Sequence, residues 1–297
     1  MQGRRMLYKG SGCAMVTPFT KENTLDNAAL RKQAAFQLEN GTDALIVCAT
    51  TGEGSTMTSR EKTEAIRMVV EVANGRVPVI AGVGGNDTAK VIEACRNAKE
   101  IGADGVLAVT PYYNKTTQPG LVAHFTAIAD ASELPVILYN VPSRTALHMK
   151  AETSAKLAGH ENIVGIKEAS GDIAHIAELT RLCGDTLPVY SGNDENTLPI
   201  LALGGVGVIS VVANVAPKMV KRLCNRFFEG ELKVAREIQL QMLPLVTALF
   251  AETSPSPVKT AMAMQGHEVG AVRLPLVPML PENEMALKEC MARLALL

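Results

Sequence analysis

Pro135-Val136-Ile137-Leu138-Tyr139-Asn140 and, further on, Ile163-Val164-Gly165-Ile166-Lys167 are two short apolar runs, each closing on a polar residue, with room for a helix between them. Neither run alternates apolar with polar. A strand that is apolar on both faces is what a parallel sheet covered by helices requires. Six further runs of this kind occupy residues 13–17, 43–49, 77–83, 105–110, 187–191 and 206–211. The intervening stretches have helical spacing. Between Thr58 and Asn74, Ile66, Val69, Val70 and Ala73 recur at helical intervals behind a Thr58-Ser59-Arg60-Glu61 capping box. Eight successive βα units without a linker predict an α/β fold, a closed (β/α)8 TIM barrel, over an open doubly wound sheet.

After a helix at 217–228 the pattern becomes purely helical, at 231–252, about 257–265 and 282–296. Pro255, Pro257, Pro275, Pro278 and Pro281 mark places where helices must start or stop. The expected organisation is a barrel over residues 1–228 and a C-terminal helical extension over residues 229–297.

Composition narrows the function classes. The 297 residues carry 29 Lys+Arg against 30 Asp+Glu, and a net charge of −1 gives no general attraction to nucleic acid or to an anionic membrane. With 47% hydrophobic and 20% charged residues the chain should fold as an ordinary globular protein. The longest apolar stretch, 205–213, falls short of the roughly 18 residues of a membrane span. Arg4, Arg5 and Lys9 are followed by Gly10-Ser11-Gly12 and not by an apolar segment, which argues against a secretory signal. Six cysteines without a C-x-x-C pair read as buried reduced thiols, so a cytoplasmic location is expected.

In such barrels the chemistry lies at the C-terminal ends of the strands. Those ends carry Thr50-Thr51-Gly52-Glu53, Thr110-Pro111-Tyr112-Tyr113-Asn114, Tyr139-Asn140-Val141-Pro142, Lys167-Glu168 and Ser191-Gly192-Asn193. A lysine ending a central strand, as Lys167 does, has little room to reach water. Burial there disfavours the ammonium, and the neutral amine is the form that attacks a carbonyl to make a Schiff base. A structural ion pair, with Glu168 or another carboxylate, is the open alternative. Tyr139 can shuttle a proton, or simply be a buried tyrosine with a satisfied hydroxyl. Thr50-Thr51-Gly52 offers hydroxyls and successive N–H groups suited to a carboxylate, or a plain turn. Arg144 can clamp a carboxylate bidentately, or be solvated. The five histidines lack metal-ligand spacing, so no metal is expected. Gly84-Gly85 and Gly204-Gly205-Val206-Gly207 lack the Lys-Ser/Thr pair of a phosphate loop and read as turns.

Three of these segments, Thr50-Thr51-Gly52-Glu53, Tyr139-Asn140-Val141-Pro142-Ser143-Arg144-Thr145 and Gly165-Ile166-Lys167-Glu168-Ala169-Ser170-Gly171-Asp172, together resemble the dihydrodipicolinate synthase and N-acetylneuraminate lyase family of pyruvate-dependent class I aldolases. The likeness runs from about Gly10 past Pro255-Ser256-Pro257-Val258-Lys259. The resemblance implies that Lys167 forms a Schiff base with pyruvate and that the resulting enamine attacks L-aspartate 4-semialdehyde, a step of lysine and diaminopimelate biosynthesis. It implies no cofactor. Tyr139 would be the proton shuttle, relayed through Thr51 to Tyr113 from the neighbouring subunit of a tight dimer within a homotetramer. Thr50 and Thr51 would orient the pyruvate carboxylate, Gly192 and Ile209 would line the pocket, and Arg144 would bind the carboxylate of the semialdehyde. Relatives that act on sugar acids differ after the Tyr-x-x-Pro segment, and a planar guanidinium suits a second carboxylate better than a polyhydroxyl chain. A sugar-acid aldolase and a non-catalytic barrel are the alternatives. The Ser254-Pro255-Ser256-Pro257 segment departs from a commoner Asn-Pro form and is expected to lie outside the chemistry. Some members of the family are inhibited by L-lysine through two histidines and a glutamate. Here Ser59, Lys62 and Lys90 stand at the aligned positions, so weak or absent lysine feedback is expected.

Overall fold

The computed structural model describes residues 6–297; Arg4 and Arg5 lie outside the described residues. Eight parallel strands close into a barrel in sequence order. They are β1 (Gly10–Ala14), β2 (Ala44–Val47), β3 (Val79–Gly82), β4 (Gly105–Val109), β5 (Val136–Asn140), β6 (Ile163–Glu168), β7 (Val189–Ser191) and β8 (Gly207–Ser210). Around them run α1 (Asn27–Glu39), α2 (Ser59–Ala73), α3 (Thr88–Ile101), α4 (Gln118–Ala131), α5 (Pro142–Thr145), α6 (Ala151–Leu157), α7 (Ile173–Cys183), α8 (Thr197–Ala202) and α9 (Pro217–Phe228). The extension adds α10 (Leu232–Leu249), α11 (Ser256–Met264) and α12 (Pro281–Arg293), with α10 packed along α9. Among the described residues no helix is long and apolar enough to cross a membrane.

The first strand starts earlier than its apolar run. Gly10-Ser11-Gly12 lacks apolar side chains and falls outside the apolar run at 13–17, yet all three residues are buried in β1. A Cβ on Gly12 would run into the Tyr8 ring and Ile46, so the missing side chain is what lets the bottom of the barrel close. Tyr8 and Tyr190 stack there with centroids 4.5 Å apart. Their hydroxyls donate to the carbonyls of Val208 and Tyr8.

Alternation along the strands divides the apolar residues into two sets. One set, including Ile46, Ile80, Leu107, Ile137 and Ile209, fills the barrel. The other, including Leu45, Val79, Val106, Leu138 and Ile166, packs under the helices. Burying each such side chain stabilises the fold by about 1.5–3 kcal/mol. The alternation breaks once, in β6. Val136 pairs with Ile163 but Ile137 pairs with Gly165, leaving Val164 as an extra residue. This bulge changes the phase of everything after it. Ile163 and Ile166 both face the helices, and Lys167, paired with Tyr139, faces the barrel interior.

The capping box of α2 forms as expected. Thr58 Oγ1 accepts from the Glu61 N–H at 3.2 Å, and the Glu61 carboxylate accepts from the Thr58 N–H at 2.8 Å. The same carboxylate is held by Arg273 at 2.5 and 3.2 Å, with the guanidinium 3.9 Å above the Phe19 ring. Arg273 thereby lowers the Glu61 carboxyl from its ordinary 4.5 to about 2. A lowered carboxyl contributes stability that is fully present above the unfolded value and is lost as pH falls through the folded one. Arg273→Ala should therefore cost roughly 3 kcal/mol at neutral pH, as expected for breaking a part-buried pair. The gap between variant and parent should narrow from pH 4.5 toward pH 2. Urea melts of both proteins at a series of pH values check this; a gap independent of pH would sink it.

Candidate active site

At the C-terminal ends of β5 and β6, Tyr139 lies beside Lys167, with Nζ 4.3 Å from the centroid of the tyrosine ring. Lys167 is 4% exposed, and no ion pair among the described residues includes it. The alternative of a Lys167–Glu168 pair fails because successive strand residues face opposite sides. Glu168 points toward the helices, where it accepts from Asn140 Nδ2 at 2.9 and 3.2 Å and from the Ser170 N–H at 2.7 Å. His175 Nε2 lies 3.5 Å from it, and this carboxylate raises the histidine. His148, 4.3 Å from His175 ring to ring, is lowered by burial and by that neighbour. Both titrating histidines thus sit behind the Lys167 strand, outside the barrel.

A cavity of about 600 Å³ opens at the barrel mouth, lined by Thr50, Tyr112, Tyr139, Val141 and Arg144. It continues between α2 and α3 past Ser59, Lys62 and Lys90. Thr50 lines it; Thr51 is buried in the loop and does not. Lys167, Gly192 and Ile209 lie outside the lining, and Tyr139, whose ring packs against the Lys167 ammonium, joins the two groups. Ile209 is fully buried on β8 in the same interior cluster as Tyr139. Gly192 follows β7 at a place where a Cβ would lie 2.6 Å from the Ala169 Cβ and 3.1 Å from Lys167 Cε. Only a glycine leaves the lysine stem its path.

Tyr113 was expected to act from a neighbouring subunit and Arg144 at the mouth of the site. Tyr113, at a φ of 68°, is 92% exposed. The single chain does not bring it to Tyr139. Arg144 lies in the single turn of α5 and donates through Nη2 to the Ser254 carbonyl at 3.2 Å. Ser254-Pro255-Ser256-Pro257, expected to lie outside the chemistry, therefore touches a cavity residue. Helix α5 is a single turn, so the Arg144 side chain finds its partner across the cavity rim, in a segment distant in sequence.

Behind the barrel end, Asp194 is fully buried and accepts from Ser210 Oγ at 2.5 Å and from the N–H groups of Val211 and Val212 at 2.9 and 3.1 Å. Burial pushes its carboxyl up, against these three hydrogen bonds. Its own carbonyl accepts from Gln239 of α10. One aspartate thus ties β7, the end of β8 and the extension together, holding the strand that carries Ile209.

A model of the Dihydrodipicolinate synthetase family matches residues 7–294. The chain belongs to this family. A 4-hydroxy-tetrahydrodipicolinate synthase from Thermoanaerobacter sp. (strain X514) is 50% identical over 292 residues, 98% of each chain. One from Geobacter sulfurreducens is 52% identical over 285 residues, 96% of this chain and 98% of the relative. A crystal structure of DHDPS from Cyanidioschyzon merolae with lysine bound superposes with a TM-score of 0.96 at 41% identity, over 99% of this chain and all of that one. The three segments that carry the resemblance to the dihydrodipicolinate synthetase family meet at one barrel end. What sequence reasoning missed are groups that support this end of the barrel: Asp194 between β7 and β8, and a buried Glu53–Lys259 ion pair of 2.6 Å that anchors the first of these segments. Lys259 sits in the Pro255-Ser256-Pro257-Val258-Lys259 segment, where a lysine in an otherwise apolar helical face was the available signal.

Proposed function

We propose that this chain condenses pyruvate with L-aspartate 4-semialdehyde to 4-hydroxy-tetrahydrodipicolinate, a step of lysine and diaminopimelate biosynthesis, with Lys167 as the nucleophile. The observation that carries the assignment of Lys167 is its burial against Tyr139 with no carboxylate to neutralise it. The relatives that are about half identical over nearly the full chain support the substrate pair. The neutral amine adds to C2 of pyruvate, and the carbinolamine hydroxyl leaves as water to give the protonated imine. Loss of a proton from C3 yields an enamine, whose C3 attacks the aldehyde carbon of the semialdehyde. The amino group of the semialdehyde then adds to C2 and expels the Lys167 amine as the ring closes. No other carrier is needed for these bond changes.

Tyr139 is the proposed proton shuttle at the carbinolamine, relayed through Thr51 to Tyr113 of a neighbouring subunit. Thr50 and Thr51 orient the pyruvate carboxylate, Gly192 and Ile209 complete the wall around the imine, and Arg144 takes the carboxylate of the semialdehyde. The exposure of Tyr113 supports a tight dimer, and we assign a cytoplasmic homotetramer built from two such dimers. Purified protein should consume pyruvate only when the semialdehyde is also present. Pyruvate release from a sugar acid, without any reaction of the semialdehyde, would overturn the assignment.

Feedback by L-lysine should be weak. Ser59, Lys62 and Lys90 line the outer part of the cavity, and Asp87 beside them is already opposed by Lys90 at 3.6 Å. A ligand ammonium entering there meets like charge. Initial rates at millimolar L-lysine, the regime of about −4 kcal/mol, should match those without it. Half-inhibition well below that range would refute the expectation.

A further inference from the structure

We propose that the buried ion pair between Glu53 and Lys259 is a positioning device for the Thr50-Thr51 loop, so that the C-terminal extension sets where the pyruvate carboxylate binds. This rests on the reading of that loop given above. Lys259 lies on α11 and is 3% exposed; its Nζ lies 2.6 Å from Glu53 Oε1, donates to the Ala271 carbonyl at 3.0 Å and sits 4.5 Å from the Phe19 ring centroid. The other carboxylate oxygen of Glu53 accepts from the Arg273 N–H at 2.8 Å. Both oxygens are thus committed to the extension.

Glu53 also closes the loop. Its N–H donates to the Thr50 carbonyl at 3.1 Å, and its φ of 52° lies in the left-handed region that non-glycine residues rarely occupy. A glycine would satisfy that backbone without a charge. A carboxylate there demands a desolvated cation, which is a costly way to make a turn unless the location of the turn matters. The same segment of the extension also receives Arg144, through the Ser254 carbonyl. The supports of the two proposed carboxylate-binding elements therefore converge on residues 254–273.

Kinetics of three variants test the proposal. Lys259→Met leaves a buried carboxylate unpaired and should both lower the melting temperature and raise the pyruvate KM. The double variant Glu53→Gln/Lys259→Met removes both charges, so its melting temperature should recover. Its pyruvate KM should nevertheless stay raised, on the order of tenfold or more, because small misplacements of a binding group are expensive. Lys259→Arg, which keeps a cation for Glu53, should bring the KM back toward the parent value. Recovery of the pyruvate KM together with stability in the double variant would overturn the proposal, as the pair would then serve only the fold. Collapse of the double variant along with Lys259→Met would overturn it equally. Borohydride trapping of pyruvate on the parent protein separates the two levels of inference. Absence of an adduct at Lys167 discards the underlying reading, whereas an adduct accompanied by an unchanged KM in the double variant discards only the positioning role.

Discussion

Lys167→Ala should abolish turnover, by on the order of 10⁴-fold or more, because it removes the atom proposed to bond covalently to substrate. No neighbouring amine can replace it. The other buried lysine among the described residues, Lys259, has its ammonium committed to Glu53 and the Ala271 carbonyl. The stability of the variant should move in the opposite sense. Lys167 is 4% exposed and has no carboxylate partner among the described residues, and burying a polar group without such a partner carries a desolvation cost. Alanine removes that cost at the expense of a small cavity, so the melting temperature should be unchanged or higher. The check pairs a turnover assay with borohydride trapping read by mass spectrometry and a thermal melt. Residual activity near the parent level, or an adduct that persists in the variant, would refute the role of Lys167. A large loss of stability would show that its burial is structural.

The second large effect is on the fold. Asp194→Ala should destabilise the protein by roughly 3–5 kcal/mol, since it strands the Ser210 hydroxyl and two buried N–H groups, each costing about 1–3 kcal/mol when left unmade. These groups terminate β8, so the loss should loosen the strand that carries Ile209 before the whole chain unfolds. Asp194→Asn should cost less. Its amide keeps one acceptor but must turn a donor toward another donor. Urea unfolding midpoints of the three proteins give the ranking, and an Asp194→Ala protein as stable as its parent would exclude the clip.

Much of this architecture is legible in the chain because the two periods differ. Continuous apolar runs with helical spacing between them leave few alternatives to a barrel of parallel strands, and chemistry at strand ends follows from the barrel. Lys167, Tyr139 and Thr50 stand out in the sequence for that reason; Thr50, Tyr139 and Arg144 line one cavity, and Lys167 lies against the Tyr139 ring outside that lining. The supporting groups were not. Glu53 and Lys259, or Arg144 and the Ser254 carbonyl, meet only after the chain has closed on itself, and no local pattern announces such pairs. The start of β1 was hidden because Gly10-Ser11-Gly12 packs through absence of side chain and so lacks the apolar residues that mark a strand in sequence. Ile163-Val164-Gly165 hid the bulge for a different reason: three apolar or side-chain-free residues in a row carry no mark of which one is unpaired.

That unpaired residue makes the chemistry of β6 a matter of parity. Counting by twos from Ile163, which faces the helices, Lys167 would land on the helix side; the bulge, by leaving Val164 unpaired, absorbs the odd residue and keeps the lysine toward the barrel lumen. A single residue inserted between Gly165 and Ile166, with the bulge kept, would leave every side chain present and yet turn the Lys167 amine to the helix side, bringing Ile166 and Glu168 to the lumen in its place. Length, as much as identity, is therefore under constraint along this strand, and insertions or deletions should be tolerated in its flanking loops far more readily than within it.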